Sequence, residues 1–185
     1  MPQSLLGATL VKVFVPLVIM VIVLAVSRRR GLSLREDLGW RWPRTSTLAI
    51  WLAAWAAWVV VGEVAIDALG LDQAKPWPDY PPLIVGLRVL AIGLLGPLAE
   101  ELVMRGVLLH RLRGTRLGAV GAVVLTAAAW AVMHFQYGPG SIGLIFLDGL
   151  ILGAARVQSR SLLVPIAMHV AGNLFSIAQS LSLVG

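Results

Sequence analysis

Six polar side chains of types that can do chemistry lie within otherwise apolar stretches of the sequence: Glu100, Glu101, Arg105, His134, His169 and Asn173. Carboxylates and imidazoles are the groups that proteins most often use for general acid–base chemistry. Ionisable groups are costly in an apolar layer, so each of them is a functional candidate by default. Their spacing determines which of them can share a helix face.

The spacing assigns different surroundings to the two adjacent carboxylates. Glu101 and Arg105 are four residues apart, so they share a helix face and can form an ion pair. Glu100 points about 100° away from Glu101 on the same helix, which leaves it free to face a cavity. His169 and Asn173 are also four apart and project from one face.

A purely structural interpretation of this group is also open, in which the side chains form interhelical hydrogen bonds that hold a bundle together. Serine and asparagine would do this with less desolvation cost than two carboxylates and two histidines. We therefore favour a site that does chemistry.

The composition is typical of an integral membrane protein. Of 185 residues, 58% are apolar and 13% charged, and the mean hydropathy is +0.87. Soluble domains carry about 25% charged residues. The absence of cysteine excludes thiolate nucleophiles and Cys-based metal sites. The net charge is +6, and most of the arginines lie in short loops between apolar runs. This pattern favours lipid headgroups over nucleic acid as the partner.

The apolar runs predict an all-α, polytopic transmembrane helix bundle of about six spans: residues 5–26, 48–69, 83–109, 117–135, 142–157 and 162–183. The first run is interpreted as a retained span rather than a signal peptide, because no positive region precedes it. We divide the chain into two peripheral helices with an interfacial loop, residues 1–82, and a catalytic helix core, residues 83–185.

Arginines mark every second loop, which predicts the orientation by the positive-inside rule. The loops after spans one, three and five hold nearly all of them, whereas the alternate loops carry one basic residue, Lys75. The expected protein is therefore a multi-pass cell membrane protein with its N-terminus outside and its site open to the cytoplasm. Residues 32–43, with Trp40 and Trp42 among charges, predict an interfacial stretch on the inner leaflet.

Other membrane charges are interpreted as structural. Lys12 can snorkel to the surface, and Glu63 and Asp67 lie near the outer end of span two. Arg88 and Asp148 lie deeper, and we expect each to pair with another group.

Three ordered motifs resemble those of the CPBP family, the CAAX-protease and bacteriocin-processing (Abi) intramembrane proteases. Glu100-Glu101-Leu-Val-Met-Arg105 matches EExxxR, and His169-Val-Ala-Gly-Asn173 matches HxxxN. Trp130-Ala-Val-Met-His134 matches FxxxH with Trp in place of Phe. The resemblance covers about half of the chain, residues 83–175.

The resemblance implies an intramembrane endopeptidase that cleaves a membrane-associated peptide or protein. Glu100 with His134 would deprotonate the attacking water, while His169 and Asn173 would stabilise the oxyanion. Glu101 with Arg105 would brace the site, and Trp130 would form an aromatic wall. Family members remove the last three residues of prenylated CAAX proteins in eukaryotes, and prokaryotic relatives are linked to bacteriocin processing and self-immunity.

Two alternatives stay open. Zinc could bind Glu100, His134 and His169, but HExxH is absent and asparagine is a poor zinc ligand, so we favour a route without a cofactor. A non-catalytic membrane scaffold or bacteriocin-immunity protein could also keep the polar group for packing. A small transporter is less favoured, because no inverted repeat is visible.

The depth of His134 is undecided by the sequence. Counted from residue 117 at ~1.5 Å per residue, His134 lies about 25 Å along its span, beyond the expected level of Glu100. Either the span begins late, or the turn at residues 136–141 dips inward as irregular backbone.

Overall fold

The computed structural model describes residues 2–72 and 75–182. Its regular structure consists of six helices, of which the third is a continuous rod with two wide turns: α1 Pro2–Arg29, α2 Thr45–Leu69, α3 Pro82–Arg113, α4 Gly118–Val132, α5 Pro139–Ser159 and α6 Leu163–Ser182. No strand occurs in the described ranges. The predicted all-α class and helical membrane bundle are confirmed.

Four of these helices are long and apolar enough to cross a bilayer, namely α1, α2, α3 and α5. Helix α4 has 15 residues, about 22 Å at the usual rise, and is shorter than a standard span. Helix α6 has 20 residues, and the polar residues His169, Asn173 and Gln179 interrupt its apolar sequence. Six spans, the outside N-terminus and the two-part division stay predictions. Leu183, where the sixth span was expected to end, lies outside the described residues.

Helix α3 contains two segments in which the backbone widens to π-helical turns, Ala91–Leu95 and Leu102–Leu108. A regular α-helical segment, Gly96–Glu101, lies between them. Short π-helical turns inside α-helices are rare and occur frequently at functional sites. Both carboxylates of the polar group are therefore in the segment that the two wide turns flank.

Small residues bring α4 and α5 into close contact. A Cβ placed on Gly149 would lie 2.8 Å from the Cβ of Ala127, and one on Gly153 would lie 2.8 Å from a methyl carbon of Val123. Without a side chain at these positions, the two backbones can approach closely, which is how many membrane helices associate. Gly149 is therefore buried where α4 and α5 meet.

The connection between α1 and α2 folds back onto the start of α6. The Leu162 N–H donates to the Gly39 carbonyl at 2.7 Å, and the Ser161 hydroxyl donates to the Arg41 carbonyl at 2.6 Å. Leu38 is fully buried in a cluster with Leu102 and Leu162. Trp42, by contrast, is 84% exposed, as an interfacial anchor would be.

Gly39 has a left-handed backbone conformation (φ +75°) and lies directly against the Arg156 guanidinium. We expect Gly39→Ala to destabilise the protein, by about 1–2 kcal/mol for the left-handed conformation plus about 1 kcal/mol or more for overpacking against a buried side chain. The measurement is the melting temperature of the purified protein in detergent.

Gly31→Ala is the matched control, because Gly31 is also left-handed (φ +68°) but has nothing within 4 Å of an added Cβ. The control should show the conformational cost alone. Equal melting temperatures for the two variants would contradict the close packing against Arg156.

Candidate active site

A buried ion pair with a third partner links α3 to α6. Arg105 Nη1 donates to Glu101 Oε1 at 2.8 Å, and His169 Nδ1 lies 3.0 Å from the same oxygen. The side chains of Glu101 and Arg105 are completely buried. The ion pair that the spacing predicted is present. Its carboxylate also holds the Nδ1 edge of the His169 ring.

Arg105 extends this arrangement to the α4–α5 hairpin. Its Nη2 donates to the Gly149 carbonyl at 3.2 Å, and its guanidinium carbon lies 4.8 Å from the centre of the Trp130 ring. Glu101 Oε2 and Arg105 Nε are buried and have no hydrogen-bond partner in the described part of the chain. A buried polar atom without a partner costs about 1–3 kcal/mol of stability. Such atoms in a folded protein therefore point to a role other than stability.

Trp130 is the residue on which most of the polar group converges. Its indole Nε1 donates to Glu100 Oε2 at 2.6 Å. The rings of His134 and His169 lie edge-on to it, with ring centres 5.0 Å and 5.1 Å away. Sequence reasoning had assigned Trp130 only an aromatic wall and missed its hydrogen bond to Glu100. A tryptophan at a phenylalanine position of the motif was the available signal.

The protonation of His134 follows from its one backbone contact. Nδ1 lies 2.9 Å from the Trp130 carbonyl oxygen, which can only accept, so Nδ1 carries the hydrogen. In the neutral ring, Nε2 then carries a lone pair. The ring also stacks against Tyr137 at 6.3 Å between centres. His134 is therefore oriented to use Nε2 as an acceptor or base.

The level of His134 along the bundle is explained by an early end of α4. A late start of that helix, which the sequence left open, is not needed. Helix α4 begins at Gly118 and ends at Val132, two residues after Trp130. Glu100, which Trp130 contacts, lies about 20 Å from the Arg113 end of α3 at ~1.5 Å per residue. The turn that carries His134 thus starts near the level of Glu100.

Asn173 stands apart from the other members of the group. Its Nδ2 donates to the Ile92 carbonyl at 2.8 Å, and Ile92 lies in the first wide turn of α3. One amide hydrogen and the amide oxygen remain for other partners. The structure therefore brings Glu100, Glu101, Arg105, His134 and His169 together around Trp130, with Asn173 anchored to the α3 backbone.

Asp148 is a neighbour that sequence reasoning did not include in the site. It accepts a short hydrogen bond from Trp58 Nε1 of α2 and lies near His169, Arg105 and His134. The expectation that Asp148 pairs with another group is confirmed. Arg88 is also paired, since it donates to Thr9 at 3.3 Å and lies over the Tyr80 ring at 4.4 Å.

The donors named for the zinc alternative, Glu100, His134 and His169, each make one hydrogen-bonding contact with the protein. Within residues 2–72 and 75–182, no group of three His, Asp or Glu side chains is placed to hold a metal ion. Glu100 Oε2 is engaged by Trp130, and both imidazoles use Nδ1 for protein partners. These contacts leave Glu100 Oε1 and the Nε2 atoms of both rings unengaged, and the zinc alternative stays a prediction.

The turn that carries His134 is held at its far end by the α2–α3 connection. Asp72 accepts hydrogen bonds from the Gly138 N–H at 2.7 Å and from the Ser141 hydroxyl at 3.0 Å. These bonds, the Gly138 bond first, favour the ionised carboxylate and lower the pKa of Asp72 below its usual value of 3.8. Asp72 thus fixes the start of α5 beside the candidate site.

A helical membrane protein with a buried group of carboxylate, guanidinium and imidazole side chains fits the class of intramembrane hydrolases. The family model for type II CAAX prenyl endopeptidases, Rce1-like, matches residues 82–175. The chain therefore belongs to this family, which confirms the resemblance that the three motifs indicated.

A curated relative is the uncharacterized 24.3 kDa protein of Escherichia coli, which is 33% identical over 127 residues. The alignment covers 64% of this chain and 58% of the relative, so the chain spans less than two thirds of the relative's length. No solved structure matches the chain.

The buried ion pair makes a prediction about stability. We expect Arg105→Met and Glu101→Gln each to destabilise the protein by about 3–5 kcal/mol, because each leaves an uncompensated buried charge. The double variant should recover much of that loss. The measurement is the melting temperature of each variant in detergent, and strictly additive losses would contradict the pairing. Glu100→Gln, which retains an acceptor for Trp130, is the control and should cost much less.

Asp72 makes a prediction about pH. Since the folded pKa is below the unfolded one, its stabilising contribution is present above about pH 3.8 and is lost as the pH falls through the folded pKa. Hydrogen-exchange protection of the Gly138 amide should therefore decrease in that acidic range. Asp72→Asn should make the protection independent of pH there, whereas Asp79→Asn, a control in the same connection, should behave as wild type. A wild-type profile in Asp72→Asn would contradict the assignment.

Proposed function

We propose that the chain is an intramembrane endopeptidase that hydrolyses a peptide bond of a membrane-associated substrate with a water activated by Glu100 and His134. One observation carries the proposal: Glu100 of α3 and His134 of the turn after α4 both contact Trp130, one through its indole N–H and the other through its carbonyl and ring. A carboxylate and an imidazole oriented by one residue are the parts that a general-base mechanism needs.

Glu100 is the proposed general base. Its Oε2 is engaged by the Trp130 N–H, which leaves Oε1 to accept a proton from the water. His134 Nε2 holds the same water by accepting its other hydrogen, because Nδ1 already donates to the backbone. The water oxygen attacks the peptide carbonyl carbon, and Glu100 passes the proton to the leaving nitrogen as the C–N bond breaks.

His169 is the proposed oxyanion donor. Its Nδ1 is directed at Glu101, so Nε2 faces away from the ion pair. With a hydrogen on Nε2 as well as on Nδ1, the ring donates a hydrogen bond from Nε2 to the developing oxyanion. Asn173 supplies its remaining amide hydrogen. Glu101 and Arg105 act through His169 and Trp130 and are positioning residues.

The proposal also covers the location of the site and the class of substrate. We assign the protein to the cell membrane with the site open towards the cytoplasm, because the arginine-rich connections lie at one end of the bundle. The substrate is a membrane-associated peptide or protein, by analogy with the family. The mechanism proposed for this chain uses its own side chains, without a metal cofactor.

A non-catalytic scaffold or immunity protein is the second candidate. It is favoured by the cohesion of the polar group, in which Glu101, Arg105 and His169 make direct contacts that hold helices together. Such a protein would tolerate the loss of at least one of Glu100, His134 and His169.

The experiment compares membrane proteomes from cells that express wild type, Glu100→Gln, His134→Asn or His169→Asn. We expect new peptide termini with wild type, and a loss of about 10²–10⁴-fold in their rate of formation in each variant, as for removal of a general acid–base group. Glu63→Gln is the matched control, because Glu63 pairs with Gln179 and contacts none of the proposed catalytic groups.

Membrane abundance must be equal in all five proteins for the comparison to hold. Termini that persist in Glu100→Gln would overturn the proposed base and favour the scaffold. The identified substrate can then be cleaved by purified protein with and without a chelator. Cleavage that a chelator stops and zinc restores would overturn the metal-free route.

A further inference from the structure

An arginine-lined cavity lies at the end of the bundle where the α1–α2, α3–α4 and α5–α6 connections meet. Its volume is about 370 Å³, and its lining residues come from all three connections or the helix ends beside them: Glu36, Arg41, Arg113, Arg156 and Arg160. None of these residues belongs to the candidate active site. The cavity is therefore a second feature of the molecule that the proposed peptidase chemistry does not use.

The cavity has an excess of three positive charges, from four arginines against one glutamate. The Glu36 side chain is 68% exposed. Its carboxylate oxygens lie 3.8 Å from Arg35 Nε and 3.9 Å from Arg41 Nη1, so Glu36 pairs with these two arginines. Arg41 and Arg113 are close enough to Arg156 to repel its charge. An anion in the cavity would relieve this repulsion.

Arg156 is the buried wall of the cavity. It is only 4% exposed, and its Nε is buried without a hydrogen-bond partner in the described ranges. Its contact with the Asp37 carbonyl, from Nη2, is long at 3.5 Å. Gly39 packs against the guanidinium and fixes its place. Arg156 lines the cavity, so the guanidinium hydrogens that face the cavity can donate to a ligand.

Backbone contacts also position other arginines that line the cavity. Arg41 Nε donates to the Arg160 carbonyl at 2.9 Å, which joins the α1–α2 connection to the α5–α6 connection. Arg160 has a left-handed conformation (φ 54°) immediately after α5. The arginines are thus positioned by folded connections rather than by a disordered basic tail.

We propose that this cavity binds the phosphate group of an anionic phospholipid. Arginines recognise phosphate by paired, charge-assisted hydrogen bonds. Trp40 and Trp42, 45% and 84% exposed in the connection that forms one wall, are residues that anchor proteins at the headgroup level. The same end of the bundle carries the arginine excess that the positive-inside rule places next to anionic lipids. This inference does not depend on the proposed peptidase activity.

The test uses the full chain in neutral detergent with dioctanoyl phosphatidylglycerol as the probe, and native mass spectrometry to count bound lipid. We expect one lipid per chain, bound more tightly than dioctanoyl phosphatidylcholine. Arg113→Gln with Arg160→Gln, two exposed positions, should weaken binding about thirtyfold, which is about fivefold for each arginine.

Arg111→Gln with Arg116→Gln is the matched control, because it removes two exposed arginines of the same end that do not line the cavity. Its affinity should stay within about twofold of wild type, since distant exposed charges are screened. Arg156→Gln, if it folds, should bind no better than the Arg113 and Arg160 double variant.

Three outcomes would overturn the proposal. The cavity variant could bind phosphatidylglycerol as tightly as the control variant does. Phosphatidylcholine could bind as tightly as phosphatidylglycerol, which would exclude selection by charge. Inorganic phosphate, added alone, could bind at the cavity while the lipid does not, which would assign the cavity to free phosphate.

Discussion

The buried carboxylate of Glu101 is the constraint on which the rest of the site depends. One of its oxygens accepts from Arg105 of α3 and from His169 of α6, and Arg105 in turn contacts Gly149 of α5 and Trp130 of α4. A charge inside an apolar bundle is tolerated only when it is paired and hydrogen-bonded. Four helices must therefore meet at one place for the charge to be compensated.

This requirement orients the groups that face the proposed reaction. The contact with Glu101 fixes the orientation of the His169 ring, and the packing of Arg105 against Trp130 fixes the indole that donates to Glu100. A side chain held by its neighbours loses little further freedom when a substrate binds, which is how rigid surroundings contribute to catalysis. The structural and the catalytic interpretations of the polar group are thus compatible, since the same contacts stabilise the bundle and orient the site.

Much of this could be predicted from the sequence, because helical periodicity fixes which side chains share a face. The Glu101–Arg105 pair followed from a spacing of four, and the helical class followed from the apolar runs. The early end of α4 could not be predicted, since residues 133–135 are as apolar as the helix before them apart from His134. The hydrogen bonds of Trp130 and Asn173 are tertiary contacts, and periodicity carries no information about them.

The aromatic position of the family motif does not by itself specify how Glu100 is held. An aromatic residue four positions before His134 can form a wall as either phenylalanine or tryptophan, but only the indole has an N–H. In this chain that N–H engages Glu100. With phenylalanine at this position, the same carboxylate would need another donor.

The two wide turns of α3 have a consequence for anyone who would transplant this site. Each π-helical turn takes more residues than an α-helical one, so it shifts the angular phase of everything that follows. Copying the EExxxR letters onto a straight, regular helix would keep Glu101 and Arg105 on one face, but it would turn the residues before and after the wide turns in other directions relative to that pair. What has to be transferred is the irregular rod itself, including the glycines and leucines that carry no chemistry of their own.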